Sequence, residues 1–203
     1  MGPGGAAFFD VELERFWPVC SLKIVRPLDY SPLSQMQIQN KNLKLVSSTV
    51  EEVHAMIEAM TPSEKANLSA DWLARFQSST CPDPWVHGFS FLLGDSGVVV
   101  GKGGFKGPPT DDGAVEIAYG IFPDHQGKGY ATEGAAALTA FAFGSGKVRV
   151  VRAHTRPEGN ASKRVLTKCG FLYVGEVVDP EDGLVWRWEK HKQAGTEPGA
   201  EPG

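Results

Sequence analysis

Alternating apolar and polar positions predict the strands of this chain. Residues 42–47, NLKLVS, place apolar side chains at every second position, which is typical of a strand with one buried face. Similar short runs, bounded by Gly, Pro or Asp, predict further strands. These strands are 87–95, 97–107, 113–122, 147–155, 171–178 and 183–190.

Apolar residues at intervals of three and four predict helices between the strands. Thr49 and Glu52 form a capping box before an apolar stripe that runs to Met60, so a helix begins after Thr49. A second helix is predicted from near Ser63, with an apolar face that extends to Phe76.

Two later helices follow, and the order of all the elements indicates the fold class. Residues 130–143 are apolar nearly all round, which predicts a buried helix ending at Gly144–Gly146. Residues 160–169 predict another helix, with Gly170 just after its end. Antiparallel strands followed by a crossover unit predict an α/β fold, with a mixed sheet of about seven strands and about four flanking helices.

The chain divides into three parts by composition. Residues 1–40 show no clean periodicity and contain several prolines, so we predict a partly disordered extension. Residues 41–190 carry the predicted elements and form the domain. Residues 191–203 are rich in Gly and Pro, and we predict a disordered tail.

Composition narrows the classes of function. The chain has 203 residues, a net charge of −4 and 41% hydrophobic residues, as expected for one ordinary globular domain. Its acidic balance argues against general nucleic-acid binding. No apolar run approaches the roughly 18 residues that cross a bilayer, and the start lacks a secretory signal. Cysteines 20, 81 and 169 are scattered, so we expect cytosolic thiols and no metal site.

Gly127 and Gly129 stand between an apolar strand and the apolar helix, an arrangement suited to phosphate. Glycines let neighbouring backbone N–H groups point into one concavity, and the positive end of the next helix favours an anion. A Walker loop is excluded because Gly129 follows Lys128 where Ser or Thr is required. A dinucleotide-binding loop needs a glycine where Thr132 stands. An acyl-coenzyme A diphosphate site and a plain glycine-capped turn remain.

The segment Gln126-x-x-Gly129-x-Ala131 resembles the coenzyme A loop of the GNAT N-acetyltransferase superfamily, Q/R-x-x-G-x-G/A. The later segment 162–171, SKRVLTKCGF, is similar to the branch that acetylates the N-terminal amines of ribosomal proteins. The resemblance covers residues 42–190. It implies a mostly antiparallel sheet that is splayed at its centre.

The resemblance also implies how acetyl-coenzyme A, the co-substrate, would bind. In this superfamily the strands on either side of the loop and its helix diverge around the pantetheine arm, and here they are 114–121 and 147–154. A backbone N–H at Ile121 or Phe122 would polarise the thioester carbonyl. The implied contacts with the coenzyme are Ile121, Phe122, Gln126, Gly127, Lys128, Gly129, Tyr130, Ala131, Thr132 and Asn160.

Glu116 is the candidate general base. On an alternating strand it shares a face with Ala118 and Gly120, and these small neighbours would leave space for an acceptor. A partly desolvated carboxylate would have a raised pKa suited to proton removal. The alternative is a surface or cross-strand paired glutamate.

Ser162 is, by resemblance, the candidate proton donor to the departing thiolate. The superfamily's common tyrosine is replaced here by Leu166, whereas the ribosomal-protein branch has a serine at the position of Ser162. The alternative is a first-turn serine that caps its helix. Asn160 stands one residue closer to this serine than in the branch, so it is alternatively only the N-cap.

The residues and the resemblance together predict a cytoplasmic enzyme that moves acetyl from acetyl-coenzyme A to a primary amine. The acceptor would be a peptide or protein N-terminus or a small-molecule amine. We expect a monomer or homodimer, with no nucleic-acid or membrane partner. The alternative is a non-catalytic acyl-coenzyme A binding module, which would keep the glycine loop without requiring Glu116 or Ser162.

Overall fold

The computed structural model describes residues 36–66, 68–157, 161–179 and 182–193. Most of the predicted N-terminal extension and of the predicted tail lies outside these residues. The strands form one sheet in the order β1-β2-β3-β4-β5-β6-β8-β7. Their bounds are β1 Gln37–Gln39, β2 Leu43–Ser47, β3 Phe89–Leu93, β4 Val98–Phe105, β5 Ala114–Ile121, β6 Val150–Thr155, β7 Leu172–Asp179 and β8 Gly183–His191.

The described helices lie between strands in the order that the periodicity predicts. Thr49 caps the first of them by the predicted capping box with Glu52. Of the later helices, the longest is apolar on most sides and connects β5 to β6. The bounds are α1 Val50–Ala59, α2 Pro62–Ala66, α3 Ala70–Ser78, α4 Pro84–His87, α5 Tyr130–Gly144 and α6 Ala161–Lys168.

Among the described strands, every pairing is antiparallel except one. β5 and β6 are parallel, because α5 carries the chain back across the sheet between them. The predicted fold class, a mixed α/β arrangement with a mostly antiparallel sheet, is confirmed. None of the described helices is long and apolar enough to span a bilayer.

Two apolar clusters lie on opposite faces of the sheet: the first includes strand residues, and the second consists of residues outside the strands. One cluster joins α5 and α6 to residues such as Phe91 and Ile117, both almost fully buried. The other joins α1, α3 and α4 around Trp72 and Phe76. Lys102 of β4 points to this second side, with Nζ 3.6 Å from the sulfur of Met56. Glu116, of the opposite parity to Ile117, lies on the same side.

Glycines allow α5 to lie close against the sheet. A Cβ at Gly134 would overlap the ring of Phe91. A Cβ at Gly103 of β4 would lie 2.7 Å from Cζ of the same ring. The glycine-rich stretch 101–107 therefore lies in β4 as far as Phe105, in close contact with its neighbours, as its pattern indicates.

The structure differs from the sequence prediction in three elements. β1 pairs with β2 from Gln37 onward, so the sheet begins inside the segment predicted as an extension. The helix predicted from near Ser63 is two helices, because the Ser69 side chain accepts from the Trp72 N–H and starts α3 afresh. The short helix α4 was missed, although Asp83 followed by Pro84 is a helix-start signal.

Candidate active site

The central feature of the site is a gap between β5 and β6. Their parallel ladder joins Ala114 to Val150, Val115 to Val151 and Glu116 to Arg152. Within the described strands, pairing between them stops there. The rest of β5 continues to pair with β4, and the rest of β6 pairs with β8. The two strands therefore diverge toward their carboxyl ends, each with one edge facing the gap.

Alternation along β5 decides which backbone groups face the gap. The Lys106 N–H donates to the Glu116 carbonyl at 3.0 Å, and the Phe122 N–H donates to the Val100 carbonyl at 2.9 Å. Even-numbered residues of β5 thus bond to β4, so Tyr119 and Ile121 direct their N–H groups to the other side. The Ile121 carbonyl accepts from Gln126 Nε2 at 2.9 Å.

This alternation corrects one of the two backbone N–H groups that were predicted to donate to the thioester carbonyl. The Phe122 amide is engaged within the sheet and is not available to a bound thioester. The Ile121 amide points toward the gap, which leaves it as the candidate donor of the predicted pair.

The glycine loop ends at the mouth of the gap and has an open surface. Gly127 and Gly129 have φ angles of +76° and +85°, in the left-handed region that favours glycine. A Cβ at either position would meet nothing within 4 Å. Lys128 lies between them, exposed, with Nζ 3.2 Å from the Asp124 carbonyl oxygen. The loop therefore leaves unfilled space above its backbone.

Helix α5 begins directly from this loop. Its N-cap, Gly129, makes no side-chain hydrogen bond. The N–H groups of the first turn therefore remain available to another acceptor, at the positive end of the helix dipole. Glu133 lies in that first turn, but its carboxylate turns away. It accepts from the Asn42 N–H at 2.6 Å and the Leu43 N–H at 2.8 Å. The geometry of the loop and of the helix start is suited to an anion such as a diphosphate.

Glu116 lies at the last paired position before the gap. Its Oε1 atom is 2.6 Å from Lys106 Nζ and 3.1 Å from His154 Nδ1, and 18% of its side chain is exposed. Burial by itself would raise the pKa of Glu116. The hydrogen bond from His154 and the charge of Lys106 outweigh burial and lower the pKa below its ordinary value. The predicted rise in pKa is therefore wrong, because the sequence did not show these two partners.

A family model of the acetyltransferase (GNAT) domain matches residues 32–172. The chain belongs to the GNAT acetyltransferase family. It is 29% identical over 104 residues to the uncharacterized N-acetyltransferase p20 of Bacillus licheniformis, covering 51% of this chain and 54% of p20. It is 30% identical over 90 residues to the uncharacterized N-acetyltransferase YjdG of Bacillus subtilis strain 168, covering 44% of this chain and 51% of YjdG. The chain thus spans about half the length of the curated relatives it matches.

Solved structures of similar fold include acetyltransferases with bound coenzyme A. AAC(6')-Ib in complex with ribostamycin and coenzyme A is 20% identical, with a TM-score of 0.57, covering 80% of this chain and 100% of that one. The RimL ribosomal L7/L12 α-N-protein acetyltransferase in complex with coenzyme A is 16% identical, with a TM-score of 0.57, covering 77% and 98%. These likenesses show that this chain has the GNAT fold.

The predicted contacts Tyr130, Ala131 and Thr132 lie in the first turn of α5. Two further GNAT site predictions, Asn160 and Ser162, fall on the segment after β6. Ser162 is half-buried in the first turn of α6, which follows β6 on the side toward which the gap opens. Asn160 lies outside the described residues. Ser162 stays a candidate, since its place in the chain suits both a sulfur partner and a helix cap.

Sequence reasoning missed the groups that surround Glu116. Lys106, His154 and Arg187 all have side chains in this polar cluster. The one available signal was the alternation in residues 147–155, where Arg152 and His154 mark a polar face on a central strand.

Proposed function

We propose that this protein transfers the acetyl group of acetyl-coenzyme A to a primary amine. The divergence of β5 from β6 beyond Glu116 carries the proposal, because an intact sheet would have no room for a thioester between these strands. The glycine loop and the uncapped start of α5 lie at the open end of the same gap. Membership of the GNAT family supports the same reaction.

The chain's own groups suit both ends of the coenzyme. Amides of the loop and of the first turn of α5 would hold the diphosphate, with Lys128 adding a positive charge. Backbone groups of Tyr119 and Ile121 would pair with the pantetheine arm. The bound thioester supplies an activated acetyl group, and the Ile121 N–H would polarise its carbonyl.

In the overall reaction the amine nitrogen forms a bond to the acetyl carbon, and the carbon–sulfur bond breaks. The amine loses a proton and the sulfur gains one. An α-amine has a reference pKa of about 8, so it needs modest help in losing that proton. Glu116, held ionised by its partners, would orient the incoming ammonium and accept its proton directly or through water. Ser162 would donate a hydrogen bond to the departing sulfur.

We infer that the acceptor is a peptide N-terminus or a small-molecule amine. Proteins of similar fold are described in complex with kanamycin or ribostamycin, or as acting on the α-amine of a ribosomal protein. Helices α1 and α3, on the side of the sheet that carries Glu116, offer the surface where such an acceptor would enter.

Release of free thiol from acetyl-coenzyme A, measured against a panel of amines, tests the proposal. The panel should contain N-terminal peptides, amino acids, polyamines and aminoglycosides. Turnover with any amine at a rate above the amine-free control supports an acetyltransferase. Micromolar binding of coenzyme A without turnover across the panel favours the alternative, a non-catalytic acyl-coenzyme A binding module.

A further inference from the structure

Four side chains form a continuous chain of polar contacts across the centre of the sheet. Arg187 of β8 donates from Nε to His154 Nε2 at 3.2 Å, and His154 of β6 contacts Glu116 of β5 at 3.1 Å. Lys106, directly after β4, contacts the same carboxylate oxygen at 2.6 Å. We call Lys106, Glu116, His154 and Arg187 the Glu116 network.

The network determines the tautomer of His154. An arginine side chain has donors and no acceptor, so the Nε2 atom that receives its N–H must carry a lone pair. In the neutral ring the proton then resides on Nδ1, which donates it to Glu116. The ring is 5% exposed, so solvent has little access to exchange these partners.

The same geometry excludes His154 as the base for an incoming amine. Its one lone pair is used by Arg187, and its N–H is used by Glu116. A general base needs a lone pair directed at the proton it removes. His154 can therefore act on the reaction only through the carboxylate that it contacts.

The contact between His154 and Glu116 lies where the gap begins. Backbone pairing between β5 and β6 ends at Glu116 and Arg152, and His154 is the next residue of β6 on the same face. The side-chain hydrogen bond therefore joins β5 and β6 just beyond the last position at which their backbones pair. It fixes the carboxylate beside the space assigned to the thioester.

We propose that His154 is a positioning residue that, anchored by Arg187, holds the Glu116 carboxylate in one orientation toward the acceptor amine. This inference rests on the proposed acetyl transfer. Lys106 holds the same carboxylate from the β4 side. Two acidic groups lie beside the network: Asp179 is 3.9 Å from His154 Nδ1, and Asp182 is 3.6 Å from Lys106 Nζ. Arg152, in register with Glu116, pairs with Glu189 and Asp112.

The test compares His154→Phe, which removes both contacts, with His154→Asn, whose amide N–H occupies the position of Nδ1 and can still donate to Glu116. We expect kcat of the Phe variant to fall about 10-fold to 100-fold, since misplacement of a reacting group has effects of this size. The KM for acetyl-coenzyme A should change less than twofold. The Asn variant should recover most of the loss. His191→Phe, at an exposed histidine of β8, is the matched control and should behave like wild type.

The pH dependence of kcat/KM separates positioning from general damage. Loss of the His154 hydrogen bond removes one group that keeps Glu116 ionised, so the acidic limb of the profile should move to higher pH in the Phe variant. It should stay near the wild-type position in the Asn variant. Unchanged kcat and an unchanged acidic limb in a folded Phe variant would overturn the inference.

The tautomer of His154 can also be measured in the wild-type protein, without a variant that might unfold. Nitrogen-15 NMR of the neutral His154 ring should show a protonated Nδ1 and an unprotonated Nε2, and the opposite tautomer overturns the inference. Lack of wild-type turnover with every amine means that the proposed function fails and this inference fails with it. Turnover in the wild type with no effect in the Phe variant defeats the inference alone.

Discussion

The ammonium group of Lys106 lies 2.6 Å from Oε1 of Glu116, and only 15% and 18% of their side chains are exposed. Burial would raise the pKa of this carboxyl group, but His154 and Lys106 together lower it below 4.5. Because the folded-state pKa is below the unfolded value, the charged carboxylate stabilises the fold. This contribution is fully present above the unfolded pKa and is lost as pH falls through the folded pKa.

Glu116→Gln should therefore lower the free energy of unfolding at neutral pH by about 1–3 kcal/mol, the range for hydrogen bonds to charged groups. The deficit relative to wild type should shrink as pH falls below 4.5 toward the lower pKa of the folded state, because the carboxylate of the unfolded chain takes up its proton first. Urea unfolding at pH values above and below 4.5 measures the loss of stability and its dependence on pH. A deficit that does not change with pH would show that the charge of Glu116 has no part in its effect.

Gly129→Glu should abolish coenzyme A binding, because the new carboxylate would enter the space assigned to the diphosphate. Gly97→Glu is the matched control. Gly97 also has a left-handed φ, of +69°, and open space around it, so the backbone strain is comparable, but it lies in the turn between β3 and β4. Calorimetric titration with coenzyme A measures both variants. Wild-type affinity in the Gly129 variant would contradict the assignment of the loop.

Gly134→Ala should destabilise the fold by about 1–3 kcal/mol, the range for overpacking a core. The new methyl group would overlap the ring of Phe91, which is fully buried. Gly144→Ala, at the other end of the same helix, meets nothing within 4 Å and should be neutral or stabilising by up to about 1 kcal/mol. Thermal or urea unfolding compares the pair. Equal effects would mean that α5 does not approach β3 as closely as described, and Phe91→Leu should relieve the Gly134 variant.

Glu133→Gln should cost about 1–2 kcal/mol of stability while leaving coenzyme A binding unchanged or tighter. The carboxylate accepts from Asn42 and Leu43, which attaches the start of α5 to β2. Glu51→Gln is the control, since Glu51 is an exposed first-turn glutamate of α1 and its replacement should have a smaller effect on stability. A large loss of coenzyme affinity in the Glu133 variant, measured by the same titration, would count against a structural role.

Local features of the structure were predictable because their causes lie within a few residues of one another. The capping box of Thr49 and Glu52 and the C-terminal glycine of α6 each satisfy backbone groups of their own helix. The apolar character of α5 predicts its burial. The two left-handed glycines and the helix start predict an anion site without knowledge of the sheet.

The sequence did not predict two elements correctly, because their local signals were either masked or too short. One apolar face runs from Leu68 to Phe76, and it masked the break at which Ser69 starts a new helix. β1 is three residues long, with Ile38 between the exposed Gln37 and Gln39, which is too short a pattern to predict a strand; its strand conformation depends on pairing with β2.

By itself the sequence determined most of the elements, the faces of their strands and the glycine loop, because side-chain periodicity and glycine conformations act within a single segment. Only the tertiary structure decided where β5 parts from β6, which amide faces the gap, and which groups surround Glu116. Glu116 meets Lys106 and His154 across strand pairings that join distant parts of the chain. Strand register is set by the packing of the whole sheet, and the charge state of a buried carboxylate follows from the neighbours that register brings to it.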